Sequence, residues 1–268
     1  MSFLPLYLAL GLASGFVAGL LGVGGGLVMV PVLLWIYAAQ GFPAAFHIHL
    51  ALGTSLAVIV LTSIASLRAH HAHGAVRWAA VRAITPGIVL GTLAGALAAV
   101  WLPDRGLKWF FVIFLLFAAS QMLFGFKPKP HRELPGRLGM SAAGGVIGAV
   151  SSWVGIGGGT LSVPFLNWCN VRFQEAIGTS SAIGLPIALS GTLGYMLAGQ
   201  TIPGLPAYSI GFVYLPAVTM IALTSILTAP LGARLTHRLP VQHLKRIFAV
   251  LLYLIAVRMV YGLIAAQP

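Results

Sequence analysis

The residues best suited to chemistry are two glycine-rich segments, each followed along the chain by a pair of hydroxyl residues. The first segment reads GVGGGLVMVP over Gly22–Pro31, and the second reads GIGGGTLSVP over Gly155–Pro164. A Gly-Thr-Ser motif follows each segment, and the hydroxyl pairs are Thr54 with Ser55 and Thr179 with Ser180. Backbone N–H and hydroxyl groups are uncharged donors, which is the chemistry that holds a small anion.

Three successive glycines at a helix start would let the backbone approach such an anion closely, with free N–H groups pointing at it. We therefore predict that one half-helix begins at each glycine segment and that the two N-termini converge. The predicted substrate-binding residues are Gly24, Gly25, Gly26, Thr54, Ser55, Gly157, Gly158, Gly159, Thr160, Thr179 and Ser180. The alternatives are that the glycines only allow close helix packing, and that the hydroxyls bond to the preceding turn.

Two further residues are weaker candidates for the substrate pathway. Arg234 could attract anions or extend toward lipid headgroups, and Asn167 could line an access route or simply form a turn. The histidines at positions 70, 71 and 73 lack neighbouring cysteines or acids, so we predict no metal site. No catalytic or cofactor motif accompanies these residues, and we predict neither a catalytic residue nor a cofactor.

The elements that must position these residues are membrane-spanning helices. Apolar residues make up 59% of the 268-residue chain and charged residues only 7%, with a mean hydropathy of +0.99. A soluble domain has roughly 25% charged residues, so this chain cannot cover a water-facing surface. In lipid the backbone must satisfy its own hydrogen bonds, and the long apolar runs favour helices. The sequence predicts an all-α integral membrane protein.

Six apolar stretches are long enough to cross about 30 Å of hydrocarbon at about 1.5 Å per residue. They are Leu50–Leu67, Ala83–Trp101, Leu107–Gly125, Ala176–Ala198, Ile210–Leu231 and Ile247–Ile264. Two further regions are apolar but interrupted by the glycines. Phe3–Ala39 is broken at Gly22–Gly26, and Met140–Trp168 is broken at Gly155–Gly159, so each is predicted to form a broken hairpin.

The basic residues predict how these spans are oriented. Fifteen Lys and Arg against three acids give a net charge of +12, which in a soluble protein would suggest a nucleic-acid partner. Here they stand in gaps between apolar runs, so we read them as topology signals that face anionic headgroups, with the lipid bilayer and not a nucleic acid as partner. The segments predicted to be cytoplasmic are residues 68–82, 127–137 and 234–246 together with Arg172. Both termini then lie outside an inner membrane.

Three sequence blocks recur in the same order in both halves of the chain. They are the glycine segment, the Gly-Thr-Ser motif, and a block that reads GALAAVWLPDRGLKWFF at Gly95–Phe111 and GARLTHRLPVQHLKRIF at Gly232–Phe248. The charge-based topology gives the matched segments opposite directions. We therefore predict a first repeat over residues 1–126, a basic linker over 127–137, and an inverted second repeat over 138–268. Many secondary transporters have this architecture, with the site near the midplane; the alternative is a scaffold that transports nothing.

The paired glycine segments, the Gly-Thr-Ser motifs and the sequence TAPLGARLTHRLP at Thr228–Pro240 resemble the sulfite exporter TauE/SafE family, which is also described as anion permeases for sulfur compounds. The resemblance covers essentially the whole chain. It implies a permease that moves a small anion, sulfite or an organosulfonate, with import of sulfate or thiosulfate as the alternative. The chain departs from a sequence that many members share, Asn-Val-Asp-Trp, by having GAVRW at Gly74–Trp78.

The spans contain no Asp or Glu, so the carboxylate relays of proton-coupled and sodium-coupled transporters are missing from them. Anion export need not use them, because an inside-negative potential expels each negative charge with about 2.3 kcal/mol per 100 mV. We expect facilitated, potential-driven export and no enzymatic activity. A membrane-embedded enzyme is the alternative from another class, and it would need a nucleophile with a base, or a metal, inside the spans. The sequence leaves open whether the protein forms a homo-oligomer.

Overall fold

The computed structural model describes residues 3–21, 25–125, 133–236 and 241–265 of the chain, without the side chains of 20–21 and 233–245. Within these ranges the chain is almost entirely α-helical, as the sequence predicts. The helices are α1 Leu4–Leu21, α2 Gly26–Ala39, α3 His47–Ala72, α4 Trp78–Ala99, α5 Asp104–Phe124, α6 Arg137–Val154, α7 Gly159–Trp168, α8 Phe173–Gly199, α9 Leu215–Thr236 and α10 Val241–Ala265. A short 3-10 turn, Ala44–Phe46, precedes α3.

Six of these helices, α3, α4, α5, α8, α9 and α10, are long and apolar enough to cross a membrane. They correspond one to one with the six predicted spans, so the all-α membrane fold is confirmed. One predicted span includes residues with a different structure, because the helix expected from Ile210 begins at Leu215. The residues before it form a two-stranded hairpin of β1 Ser209–Ile210 and β2 Val213–Tyr214. Gly211 has a φ of +55° and makes the turn between these strands.

Both predicted helix breaks are present. The helix α1 ends at Leu21 and α2 begins at Gly26, while α6 ends at Val154 and α7 begins at Gly159. The second break has a clear cause, since Gly155 and Gly158 adopt φ values of +68° and +80°. This left-handed conformation is costly for residues with a side chain and commonly ends helices.

The first helix of each half packs against the fourth helix of the other half. Along α1, a Cβ on Gly11 would lie 2.5 Å from the carbonyl oxygen of Ile221 in α9. Along α4, a Cβ on Gly87 would overlap the carbonyl oxygen of Ser141 in α6. Glycine allows these backbones to touch, as small residues do between membrane helices. The two halves are therefore interlocked and do not form separate globular units.

The helices α3 and α8 form the centre of the molecule and are the most buried of the six spanning helices. They run antiparallel, since Gly53 lies beside Tyr195 and the hydroxyl of Ser66 lies 3.2 Å from that of Ser181. These two helices carry the two Gly-Thr-Ser motifs. Their opposite directions agree with an inverted relation between the halves, which stays a prediction.

Candidate functional site

The glycine breaks of the two halves meet at the centre of the molecule, beside α3. A Cβ on Gly26, at the start of α2, would collide with the carbonyl oxygen of Gly155, at the end of α6. The buried hydroxyl of Ser55 donates a hydrogen bond of 2.8 Å to the same carbonyl oxygen. Gly25 is also buried and lies against Ser14 of α1. Two predicted residues, Gly26 and Ser55, thus contact the second break, whereas Gly24 lies outside the described residues.

The start of α7 is held by a chain of hydroxyls that reaches α8. Ser162 donates to the carbonyl oxygen of Gly158 at 2.8 Å, and its oxygen lies 2.7 Å from that of Ser180. Because Ser162 has one hydrogen and uses it on Gly158, Ser180 is the donor in the second bond. Gly157 packs against Gly184 of α8, which completes this side of the site. Sequence reasoning missed Ser162, although it stands within the repeated glycine segment, four residues after Gly158.

Thr160 is the predicted residue whose side chain is best placed to receive a ligand. It is the second residue of α7, directly after Gly159, and it is 4% exposed. Its hydroxyl has no hydrogen-bond partner among the described residues. Leaving a buried hydroxyl unpaired costs about 1–3 kcal/mol, so this position favours a ligand oxygen. Buried hydroxyls without a partner in the described chain also occur on α4, α6 and α8, at Thr92, Ser151 and Thr192.

The threonines of the two Gly-Thr-Ser motifs bind backbone in this structure. Thr54 accepts a hydrogen bond of 3.1 Å from the N–H of Tyr214 and another of 3.1 Å from the hydroxyl of Tyr37. Thr179 accepts a hydrogen bond of 3.0 Å from the N–H of Arg77. The residues that donate these backbone bonds, Tyr214 and Arg77, directly precede α9 and α4. The substrate contacts predicted for the two threonines stay predictions.

The glycine before each threonine makes a matching contact. A Cβ on Gly53 would overlap the carbonyl oxygen of Phe212, and a Cβ on Gly178 would overlap that of Ala75. Each Gly-Thr pair therefore holds the three residues that lead into the fourth helix of the other half. We call the contact of Gly53 and Thr54 with residues 212–214 the first latch. The contact of Gly178 and Thr179 with residues 75–77 is the second latch.

The surroundings of the two latches differ in chemistry. The first latch lies under an aromatic cluster in which the rings of Tyr37 and Phe42 stack at 5.2 Å and Tyr214 meets both edge-on. At the second latch, Glu175 in the first turn of α8 pairs with Arg77 at 2.6 Å and with Arg172. One latch is thus closed by apolar packing and the other by an ion-pair network.

The weaker candidates, Arg234 and Asn167, belong to α9 and α7. The side chain of Arg234 lies outside the described part of the chain. The backbone carbonyl of Asn167 accepts the N–H of Asn170 at 3.1 Å in the turn that ends α7, and the pathway role of Asn167 stays a prediction. His71 accepts from the Trp78 indole and His73 contacts the Ala69 carbonyl. No group of three possible metal ligands occurs among the described residues.

Comparison with known proteins shows the family. A profile described as "Sulfite exporter TauE/SafE" matches residues 7–259. The chain belongs to the sulfite exporter TauE/SafE family. The resemblance drawn from the glycine segments and the Gly-Thr-Ser motifs is therefore confirmed.

Several relatives match over nearly their whole length. A Haemophilus influenzae protein named "Probable membrane transporter protein" is 38% identical over 259 residues, covering 96% of this chain and 98% of the relative. A probable membrane transporter protein of Methanocaldococcus jannaschii is 29% identical over 90% of both chains. One of Bacillus subtilis, YunE, is 25% identical over 97% of this chain and 98% of its own. No solved structure matches this member of the sulfite exporter TauE/SafE family.

The family match, the relatives and the six spanning helices together show that this chain is a multi-pass membrane transporter. The three acids of the chain stand at or beyond the ends of helices. Asp104 begins α5, Glu175 lies in the first turn of α8, and Glu133 precedes α6. The glycine-break site is consequently built from neutral groups in the part of the chain that the structure describes.

Proposed function

We propose that this transporter is a permease for a small sulfur-containing oxyanion, sulfite or an organosulfonate, which it exports across the inner membrane without acting as an enzyme. The observation that carries the proposal is the meeting of both glycine breaks at Ser55 and Gly155, with the hydroxyl of Thr160, which has no partner among the described residues, at the start of α7. The family description supports sulfite as the first substrate to test.

A neutral site of this kind suits an anion that must both bind and leave. The N-terminus of α7 carries the positive end of the helix dipole and the N–H groups of its first turn. The hydroxyl of Thr160 adds a donor that can replace water around the anion. A buried Lys or Arg would hold the anion by charge and slow its release, and a buried carboxylate would repel it. Neither is present in the described site.

The two latches suggest how access to the site alternates. Both are closed in this structure, and each joins a central helix of one half to the fourth helix of the other. We propose that opening one latch exposes the glycine breaks to one side of the membrane while the other stays closed. The antiparallel packing of α3 and α8 supports this proposal, because it directs the two matched latches toward opposite sides.

Transport is proposed to be electrogenic and driven by the membrane potential together with the concentration gradient. An inside-negative potential favours exit of each negative charge by about 2.3 kcal/mol per 100 mV. Asp104 and Glu175 stand in the first turns of α5 and α8, so neither places a carboxylate in the middle of a spanning helix to couple a proton or a sodium ion.

The test is flux through purified protein in liposomes, with sulfite, sulfate, thiosulfate and methanesulfonate as substrates and an imposed potassium diffusion potential. We expect sulfite or the sulfonate to move, and to move faster when the potential drives anions along the measured direction. Protein-free liposomes are the control. Movement of sulfate or thiosulfate alone would favour the importer alternative, and failure of all four anions would overturn the substrate class. Flux indifferent to potential would contradict electrogenic export.

A further inference from the structure

A cleft of about 660 Å³ opens between the N-terminal ends of α4 and α6, away from the glycine breaks. The two helices run parallel here, since Gly87 meets Ser141 and Gly91 meets Gly145 one turn later. Their N-termini therefore lie at the same end of the molecule. This packing is one of the two interlocks between the halves, so whatever fills the cleft contacts both halves at once.

The walls of the cleft are apolar and its rim is basic. Ala79, Ala83 and Met140 are among the residues that form the walls, while Arg82 and Arg137 contribute the guanidinium groups. Both arginines are exposed, and neither takes part in an ion pair within the part of the chain that the structure describes. The positive ends of the α4 and α6 dipoles point the same way. The cleft thus combines uncompensated positive charge with apolar surface.

The cleft lies at the boundary of the membrane, where basic charge beside apolar surface suits a lipid. The spanning helix α4 begins at Trp78, which is exposed, and Arg82 follows about one turn later. Tryptophan and arginine at a helix end mark the level of the lipid headgroups. Basic pockets between membrane helices at this level bind anionic headgroups.

We propose that the cleft binds one anionic phospholipid, with its phosphate at Arg82 and Arg137 and its acyl chains along the apolar wall. The end of the neighbouring linker, Leu134, Pro135 and Gly136, lines the cleft itself. Glu133 is exposed and does not line the cleft. A bound lipid would bridge the guanidinium groups and hold the α4–α6 interlock together.

Native mass spectrometry of the purified protein tests this proposal, with phosphatidylglycerol, phosphatidylcholine and inorganic phosphate added separately. We expect one phosphatidylglycerol to be retained, and retention to be lost in the double variant Arg82→Gln/Arg137→Gln. Removing two basic residues that contact an anionic lipid should weaken its binding about thirty-fold. The matched control is Arg68→Gln/Arg246→Gln, which removes two exposed arginines that do not line the cleft and is expected to retain the lipid.

A second variant separates lipid binding from a general loss of charge. Ala79→Trp fills the apolar wall and leaves both arginines in place, so it is expected to weaken retention while the protein stays monodisperse in size-exclusion chromatography. The proposal is overturned if the Arg82/Arg137 variant retains phosphatidylglycerol as the control does. It is also overturned if phosphatidylcholine is retained equally well, or if inorganic phosphate binds without lipid and competes with it.

Discussion

The hydroxyls around the glycine breaks have separate tasks at the scale of single residues. Ser55 and Ser162 each donate to a glycine carbonyl, and Ser180 donates to Ser162, so these three are engaged in holding the breaks together. Thr160 is buried at the same place with its hydroxyl unpartnered in the described chain. A hydroxyl that contributes no bond to the protein is the one expected to matter for the ligand.

Thr160→Val keeps the shape of the side chain and removes the hydroxyl. We expect sulfite flux to fall by about ten-fold, because one hydrogen bond to an anion is worth about 1.5 kcal/mol. The melting temperature should hold or rise, since a buried unpaired hydroxyl is removed. Flux and thermal unfolding are measured on the same preparation. The control is Thr85→Val on α4, whose hydroxyl bonds to Val81 of its own helix. Equal flux in wild type and Thr160→Val would remove this residue from the site.

Gly26→Ala tests the contact between the two breaks. A Cβ at this position collides with the backbone oxygen of Gly155, which cannot move aside without disturbing the end of α6. We expect a loss of stability of about 1–3 kcal/mol, as for other overpacked positions, together with a loss of flux. Gly262→Ala on α10 is the matched control, because its Cβ would enter open space. Fluorescence-detected thermal unfolding measures both variants, and equal melting temperatures would contradict the contact.

The two latches are the units that connect helices at the element scale. Each uses a glycine to admit a backbone carbonyl and the next threonine to accept an N–H two residues later in the bound segment. The bound segments, residues 212–214 and 75–77, lead into α9 and α4. Movement of either segment is therefore coupled to the helix that follows it.

Gly53→Ala and Gly178→Ala are expected to open the first and second latch respectively, because each Cβ would overlap a carbonyl of the held segment. A reporter cysteine at Ser209 or at Ala75, in a Cys169→Ser background, is labelled with a membrane-impermeant maleimide. We expect Gly53→Ala to speed labelling from one side of the membrane and Gly178→Ala from the other. Gly262→Ala, where a side chain would meet open space, controls for glycine loss. Faster labelling from the same side in both variants would contradict the inverted arrangement.

At the scale of the whole molecule, the first helix of each half packs against the fourth helix of the other half. The packing of α1 on α9 and of α4 on α6 places helices of both halves in each interface, and Gly15 against Ser225 continues the first of these. A half produced alone would expose the small-residue faces that these interfaces bury. Its stability would therefore depend on the other half.

Separate production of residues 1–126 and 138–268 tests this interlocking. We expect each half alone to aggregate in detergent and the two co-expressed halves to purify together, because the interlocks need no covalent linker. Gly15→Leu in the first half should reduce co-purification, since its side chain would meet the backbone of Ser225. Co-purification by an affinity tag on one half is the measurement. A single half that is monodisperse and thermally cooperative would show independent domains.

Hydropathy and glycine content are local properties, and they were enough to predict the six spans and both helix breaks. The family was indicated by the resemblance of the paired motifs. An apolar run of sufficient length has few alternatives in lipid, and three successive glycines weaken a helix by about 1 kcal/mol each. The start of α9 was missed because residues 209–214 are apolar enough to resemble a span, whereas backbone pairing makes them a hairpin.

The partners of the hydroxyls depended on the tertiary structure. Ser55 bonds to a carbonyl that is 100 positions away in the sequence, and Thr54 bonds to an N–H that is 160 positions away. The sequence shows glycines and hydroxyls beside the breaks. It does not show which hydroxyls bond to the backbone of another helix and which one is free to bind a ligand. That difference depends on which backbone groups lie within hydrogen-bond distance, and only the packing of α3 and α8 between the other helices determines it.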